Sequence, residues 1–278
     1  MRNLLARFSL ATLIAAVLSV AAFAQRVAIL TPEGNAQALE IAERFEAPFA
    51  DKFKLIDRSM AASAFRSSTP ESPFNMTADQ AKNVANAVGC DAFVLLKTET
   101  LRRSSFDRPE YYESYLAIYG VNGRSGQLVE WQLSTFKEND PAAASKRLAE
   151  AAPEIARIFA ANLVTSGTHR TERPPMETIN VDQTDKDLKQ PTPYRRIKPV
   201  YTATAYLYGI RGTVDIEADI DDTGKILRTA IVRWAGFGLD DAVDEAVRAM
   251  NWRPAMRGGK ALPMRVLLRY NFSKIEKE

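Results

Sequence analysis

The first half of the chain alternates short apolar runs with segments in which apolar residues recur every three or four positions. Residues 26–31 form an apolar run that ends at Pro32, which is typical of a buried strand. Apolar positions in 35–49 have helical spacing, and the four residues from Thr77 have the pattern of a helix capping box. The order predicted for residues 26–164 is β-α-β-α-α-β-β-β-α, a sandwich-type α/β domain.

The last three of these elements are predicted from glycine and proline as much as from apolar residues. Residues 111–121 and 128–136 are separated by a glycine-containing turn, so they are predicted to pair as a hairpin. Pro141 begins an alanine-rich helix that is predicted to run to about Val164. Pro153 lies inside this helix and is predicted to kink or split it.

The C-terminal part shows a strict alternation of apolar and acidic residues. Between 214 and 221 four apolar residues alternate with four acids, which predicts a strand with one buried face and one carboxylate-covered face. Residues 225–233 are predicted to return antiparallel, residues 239–250 carry one apolar helical stripe, and residues 262–272 alternate again. This part is predicted to be a ββαβ unit, so the fold class of the whole chain is α+β.

The segment between the two predicted domains has a different composition. Residues 165–198 contain four Pro, many polar residues and few apolar ones, which is typical of a flexible linker. The predicted domains are therefore 25–164 and 199–278. His169, the only histidine, lies in the linker, where a surface position is expected.

The first 24 residues have the pattern of an export signal. Arg2 and Arg7 precede an uncharged apolar run, and small residues stand at Ala22 and Ala24. We expect cleavage before Gln25 and export to the periplasm. The alternative is an uncleaved anchor, because the apolar run just reaches the length that spans a bilayer.

Charge and composition exclude several classes of function. The net charge of the chain is +3, and residues 1–24 contribute two arginines and no acid, so the exported part is close to neutral and nucleic acid is not expected as a partner. One Cys and one His exclude a disulfide, a cysteine-based zinc site and a multi-histidine metal site. Asp219 and Asp221 imitate the start of a calcium loop, but the twelfth position is Ala230. With no nucleophile–base pair visible, neither enzymatic activity nor a cofactor is expected.

Several short phrases in the N-terminal domain resemble a known family. They are Val27 to Leu30, Leu55 to Arg58, Gly89 to Val94, and Gly123 to Gly126. Because of these phrases, residues 26–164 resemble the N-terminal α/β domain that TolB and the curli-secretion protein CsgG share.

The C-terminal residues resemble a family over more than a dozen positions. These are Pro199, Tyr201, Ala205, Gly209, Ile210, Gly212, Val214, Asp221, Asp222, Gly224, Leu239, Asp240, Ala242, Ala246, Val247, Trp252, Pro254, Ala255, Gly259 and Phe272. At this spacing, residues 195–273 are similar to the TonB C-terminal domain. The resemblance implies a periplasmic domain that captures the TonB box, a short extended peptide of an outer-membrane transporter, by adding it as a strand to a sheet edge.

At the positions that match the family, the resemblance implies that the exposed edge is the last strand, residues 263–271. It also implies that the segment near Tyr201 contacts the same partner. The implied partner-binding residues are Tyr201, Arg265, Val266, Leu267, Leu268, Arg269 and Tyr270. Arg265 and Arg269 share one face and would suit an acidic or polar peptide; the alternative is that they are solvated charges that prevent aggregation at the edge. Proline in place of Val266 is expected to remove an edge donor.

Two departures from the family bear on function. Thr202 follows Tyr201 where the family has proline, and the N-terminal segment lacks the histidine through which the family couples to the ExbB–ExbD motor. We therefore expect a non-catalytic periplasmic TonB-family protein that binds an outer-membrane transporter or another envelope protein. Energy transduction through an ExbB/ExbD-type motor is implied by resemblance, and only if the N-terminus stays anchored. The alternative is an envelope scaffold that acts through its N-terminal domain.

Overall fold

The structure is a computed structural model that describes residues 25–68, 70–166, 176–178 and 187–273. The predicted signal peptide, His169 and much of the predicted linker lie outside the described residues. The N-terminal part contains β1 (Arg26–Leu30), α1 (Ala36–Ala50), β2 (Lys54–Leu55), α2 (Arg58–Ser68), α3 (Ala78–Val88), β3 (Ala92–Arg103), β4 (Tyr111–Asn122), β5 (Leu128–Glu138) and α4 (Pro141–Ser166). This is the order of elements that the sequence predicts.

The five strands form one mixed sheet in the order β2-β1-β3-β4-β5. Strand β1 is parallel to β2 and β3, and the pairs β3–β4 and β4–β5 are antiparallel. Helices α1 and α4 cover one face of this sheet, and the hydrophobic cluster between them and the sheet consists of residues of the N-terminal part. Helices α2 and α3 cover only part of the other face, and the C-terminal part of the chain covers the rest. Strand β5 is an outer strand of this sheet.

Pro153 does not split α4, which is one of the two outcomes that the sequence predicted. The helix continues from Pro141 to Ser166 with Pro153 inside it. Pro153 is exposed, while Ala152 and Ile155 beside it are buried. Proline has no N–H to donate to the carbonyl oxygen of Ala149, yet the helix and its buried stripe continue on both sides of Pro153.

The C-terminal part contains the predicted ββαβ unit with several short additions. Its elements are β6 (Leu188–Lys189), β7 (Thr192–Pro193), α5 (Ala203–Leu207), β8 (Gly212–Ile220), β9 (Ile226–Arg233), α6 (Leu239–Arg248), β10 (Trp252–Arg253), β11 (Ala255–Arg257), β12 (Lys260–Leu262) and β13 (Met264–Phe272). A three-stranded antiparallel sheet has the order β13-β8-β9, so β8 is central. Helix α6 packs on the apolar face of this sheet.

The end of the predicted linker is paired with the C-terminal part of the chain. Strand β6 is antiparallel to β11, and β7 is antiparallel to β10. These pairs use main-chain hydrogen bonds, which do not need apolar side chains. The polar composition of residues 187–193 therefore gave no sign of the pairing.

The two halves of the chain share one hydrophobic cluster. Trp234 is fully buried, its indole Nε1 donates to the carbonyl oxygen of Gly126 at 3.2 Å, and its ring centroid lies 5.7 Å from that of Tyr119. The Asn75 amide donates to the carbonyl oxygens of Thr213 and Trp234, both at 2.7 Å. The C-terminal part thus covers the sheet face that α2 and α3 leave open.

Candidate strand-binding edge

Strand β13 is the outer strand of the C-terminal sheet. It pairs with β8 over nine residue pairs without a register shift. The Arg265 N–H points away from β8, because it donates to the carbonyl oxygen of Glu177 at 2.9 Å. Backbone groups alternate in direction along an antiparallel strand, so those of Leu267, Arg269 and Asn271 also point outward. No backbone hydrogen bond among the described residues reaches these three from outside the sheet.

The alternate residues of β13 face the other way. By the same rule the backbone groups of Val266, Leu268 and Tyr270 bind β8, and their side chains lie on the side of α6. Val266 is 5% exposed, whereas Leu267 is 57% exposed. By the alternation that starts at Arg265, the outward donor is Leu267, and proline at Val266 would remove a bond to β8 instead of an edge donor. These three residues support the edge from inside the domain.

The face of the sheet opposite α6 is a network of arginines and carboxylates. Arg265 donates to Asp219 at 2.6 and 3.1 Å, and Arg269 donates to Asp215 at 2.7 and 2.9 Å. Arg233 on β9 reaches Asp215 from the other side at 3.1 Å. Asp215 and Asp219 are only 3% and 1% exposed.

This burial differs from the open acidic face that the sequence predicts. Strand β8 is central, so arginines on β9 and β13 extend across its carboxylates. Burial opposes ionisation of Asp215, but hydrogen bonds and charge from Arg269 and Arg233 outweigh it and hold the pKa of Asp215 below its usual value. Arg265 and Arg269 are therefore already paired with acids of their own sheet, which leaves little positive charge for an incoming acidic peptide.

Tyr201 lies at the C-terminal end of β13. Its hydroxyl donates to the carbonyl oxygen of Ile210 at 2.7 Å, and its ring stacks on Phe272 with the centroids 6.1 Å apart. Thr202 caps α5, since its hydroxyl accepts the N–H of Ala205 at 3.1 Å. The structure thus brings Tyr201 next to the outer strand, and threonine serves as a helix cap where the family has proline.

The chain places a short segment of its own against one end of this edge. Residues 176–178 bridge to β13 in parallel at Arg265. The Glu177 carboxylate binds both terminal nitrogens of the Arg257 guanidinium. Nothing in the polar composition of 165–198 marked this contact. It contacts the Arg265 end of β13, and no described residue contributes a backbone hydrogen bond to the outer side of the part from Leu267 to Asn271.

A comparison with protein families gives a match in the C-terminal part of the chain. The model of the Gram-negative bacterial TonB protein C-terminal matches residues 197–273. Residues 197–273 are therefore similar to the TonB C-terminal domain. The match includes Tyr201, the whole three-stranded sheet and α6, which confirms the resemblance drawn from the sequence.

Solved structures are similar to parts of the chain. The Pseudomonas aeruginosa TonB C-terminal domain matches 37% of this chain and 97% of its own, with 28% identity and a TM-score of 0.28. Lipoprotein GNA1162 from Neisseria meningitidis matches 48% of this chain and 98% of its own, with 12% identity and a TM-score of 0.32. The LpoB C-terminal domain from Salmonella enterica matches 46% and 93%, with 15% identity and a TM-score of 0.28. Comparison with curated proteins gave no match. The TolB/CsgG-like assignment of the N-terminal domain stays a prediction.

A loop of the C-terminal part with unusual backbone angles packs against the N-terminal sheet. Gly236, Phe237 and Gly238 follow one another with positive φ. The Asp240 carboxylate accepts the N–H of Ala235 at 2.9 Å and that of Gly236 at 2.7 Å, which holds the loop in this conformation. Burial raises the pKa of Asp240 to about 6, although these two hydrogen bonds act in the opposite direction. Phe237 in this loop contacts Trp131, and Trp234 just before the loop contacts Tyr119.

The other residues singled out in the sequence have local structural roles. Asp221 accepts the N–H groups of Thr223 and Lys225 in the turn between β8 and β9, so it is a turn residue. Cys90 is buried, and burial raises the pKa of its thiol to about 12. Within the described ranges, no group of three or more His, Cys, Asp or Glu could hold a metal ion.

Proposed function

We propose that this protein binds an extended segment of an outer-membrane transporter, or of another envelope protein, by adding it as a strand to β13. The observation that carries the proposal is the row of outward backbone groups at Leu267, Arg269 and Asn271, which the described chain leaves without a backbone partner. Unpaired N–H and C=O groups at a sheet edge form a template for another strand. TonB C-terminal domains in general interact with outer-membrane transporters, which supports this class of partner.

The selectivity of this edge would come from shape more than from charge. The arginines beside the edge are paired with Asp215 and Asp219, so an acidic peptide gains little from them. Exposed apolar surface remains at Leu267, and the rings of Tyr201 and Phe272 lie at the end of the strand. We therefore expect main-chain bonds to set the affinity and alternate apolar side chains of the peptide to set the selectivity.

The proposed location is the periplasm, and the proposed role is non-catalytic. TonB-family proteins belong to the cell envelope, and the TonB C-terminal family is non-catalytic. None of the described helices is long and apolar enough to cross a membrane. Direct coupling to an ExbB/ExbD-type motor depends on residues 1–24. Mass spectrometry of the native N-terminus tests this, because a chain that begins at Gln25 could not couple directly.

Proline in place of Leu267 tests strand addition. The substitution removes an outward N–H without touching the ladder to β8, and proline is tolerated at a sheet edge. It leaves a carbonyl of the bound peptide without its donor, so we expect affinity for TonB-box peptides to fall about tenfold. Isothermal calorimetry on the full exported chain measures the change.

Alanine in place of Leu267 is the matched control, since it trims the same side chain and keeps the N–H. Circular dichroism shows whether both variants keep the native fold. If Leu267→Pro is folded and binds the peptides as tightly as Leu267→Ala, strand addition at β13 is excluded.

Alanine in place of Glu177 tests whether the chain's own segment 176–178 competes for the edge. The substitution removes the ion pair with Arg257 and weakens the contact at Arg265. An exposed ion pair is worth up to about 1 kcal/mol, so we expect peptide affinity to rise up to about fivefold. Arg257→Ala should give the same gain in calorimetry. Unchanged or weaker binding in both variants would show that the segment does not compete.

A further inference from the structure

The outer strands of the two sheets face one cleft between the two halves of the chain. Strand β5 ends the N-terminal sheet and β9 ends the C-terminal sheet on the side opposite β13. Five consecutive residues, 127–131, and three consecutive residues, 229–231, line a cleft of about 500 Å³. Successive side chains of a strand point to opposite faces, so a cleft lined by consecutive residues lies along the edges of both strands.

The ladder of the C-terminal sheet determines which groups of β9 point into this cleft. Because the Val266 backbone binds β8 at Ala218, the next residue along β8, Asp219, binds β9 at Arg228. The backbone groups of Thr229 and Ile231 then point away from β8, towards β5. No backbone hydrogen bond of the described residues reaches either of them from the cleft.

The wall that α6 contributes to the cleft is acidic. Asp240, Asp241 and Asp244 all line it, and Arg248 pairs with Asp244 at 2.6 Å. Asp241 is exposed and forms no ion pair or side-chain hydrogen bond among the described residues. One carboxylate at the mouth of the cleft is thus free to bind a cation.

We propose that this cleft is a second strand-docking site, which takes an extended segment of a partner protein carrying a Lys or Arg side chain. The segment pairs with the backbone of Thr229 and Ile231, contacts the edge of β5, and places its cationic side chain against Asp241. The occupant is a peptide strand because two sheet edges bound the cleft, and it is basic because the free charge there is negative. This site is separate from the β13 edge and does not depend on it.

Two short peptides titrated into the full exported chain test the site. The probe is acetyl-Thr-Lys-Val-Lys-Thr-amide, and the matched probe has glutamate in place of both lysines. We expect the lysine peptide to bind at least about tenfold more tightly than the glutamate peptide. We expect Asp241→Asn to weaken binding of the lysine peptide by up to about fivefold, the range for a partly exposed charge pair. Asp107→Asn, at an exposed hairpin tip, is the control and should change nothing.

Hydrogen exchange locates the bound peptide. We expect slower exchange of the Thr229 and Ile231 amides and no loss of binding in Leu267→Pro, which affects only the β13 edge. A lysine peptide methylated on the amides that face β9 should lose its affinity. Equal binding of the two peptides, equal effects of Asp241→Asn and Asp107→Asn, or protection at β13 alone would each overturn the proposal.

Discussion

Replacing Trp234 by alanine is expected to lower the free energy of unfolding of the whole chain by about 3 to 5 kcal/mol, the range for a buried Trp or Phe cut to Ala. Trp234 is fully buried between the two halves and donates to the carbonyl oxygen of Gly126. Its loss leaves a cavity in the cluster that the two sheets share, and it leaves that carbonyl without its indole donor. Urea denaturation followed by circular dichroism measures the change.

Leu227→Ala is the control, because Leu227 lies on the neighbouring strand β9 and is 52% exposed. Its cost should stay within about 0.5 kcal/mol, as for most surface substitutions. If Trp234→Ala costs no more than this control, the two halves do not depend on each other for stability.

Replacing Asp219 by alanine is expected to cost about 3 kcal/mol, at the lower end of the range for breaking a buried ion pair. Asp219 is 1% exposed and binds the Arg265 guanidinium twice, and the Arg265 side chain is only 15% exposed. Removing the carboxylate takes both of these hydrogen bonds from a largely buried guanidinium. Urea denaturation again measures the change.

A double-mutant cycle separates the charge effect from packing. Arg265→Ala combined with Asp219→Ala should cost less than the sum of the two single variants, because the pair is removed together. Glu40→Ala is the matched control, since Glu40 forms an exposed pair with Arg44 on α1. A cost for Asp219→Ala as small as that of Glu40→Ala would show that the network across β8 adds nothing to stability.

Local sequence patterns predicted the elements because their causes are local. The capping box at Thr77 forms as expected, with hydrogen bonds of 3.1 and 2.9 Å to Gln80. Gly89 ends the same helix with a φ of 75°. The alternation in 214–221 predicted a strand, and the resemblance to the TonB C-terminal domain pointed to the last strand as the edge.

What the sequence did not predict depends on contacts between distant residues. Alternation shows that Asp215 and Asp219 share a face, but it does not show that arginines of two other strands will cover them. The contact of Glu177 with β13 is a main-chain bond, for which a polar segment carries no signal. The role of Trp234 arises only when the second sheet is placed against the first.

The charge network across β8 affects how a partner finds the protein. Asp215 and Asp219 offset two of the three charges of Arg233, Arg265 and Arg269, so the net charge of this network is small. Long-range electrostatic attraction to it therefore adds little to the approach of a charged ligand. Capture would depend on how closely the envelope confines the two molecules, so local concentration, and not ionic strength, would control how often the edge is occupied.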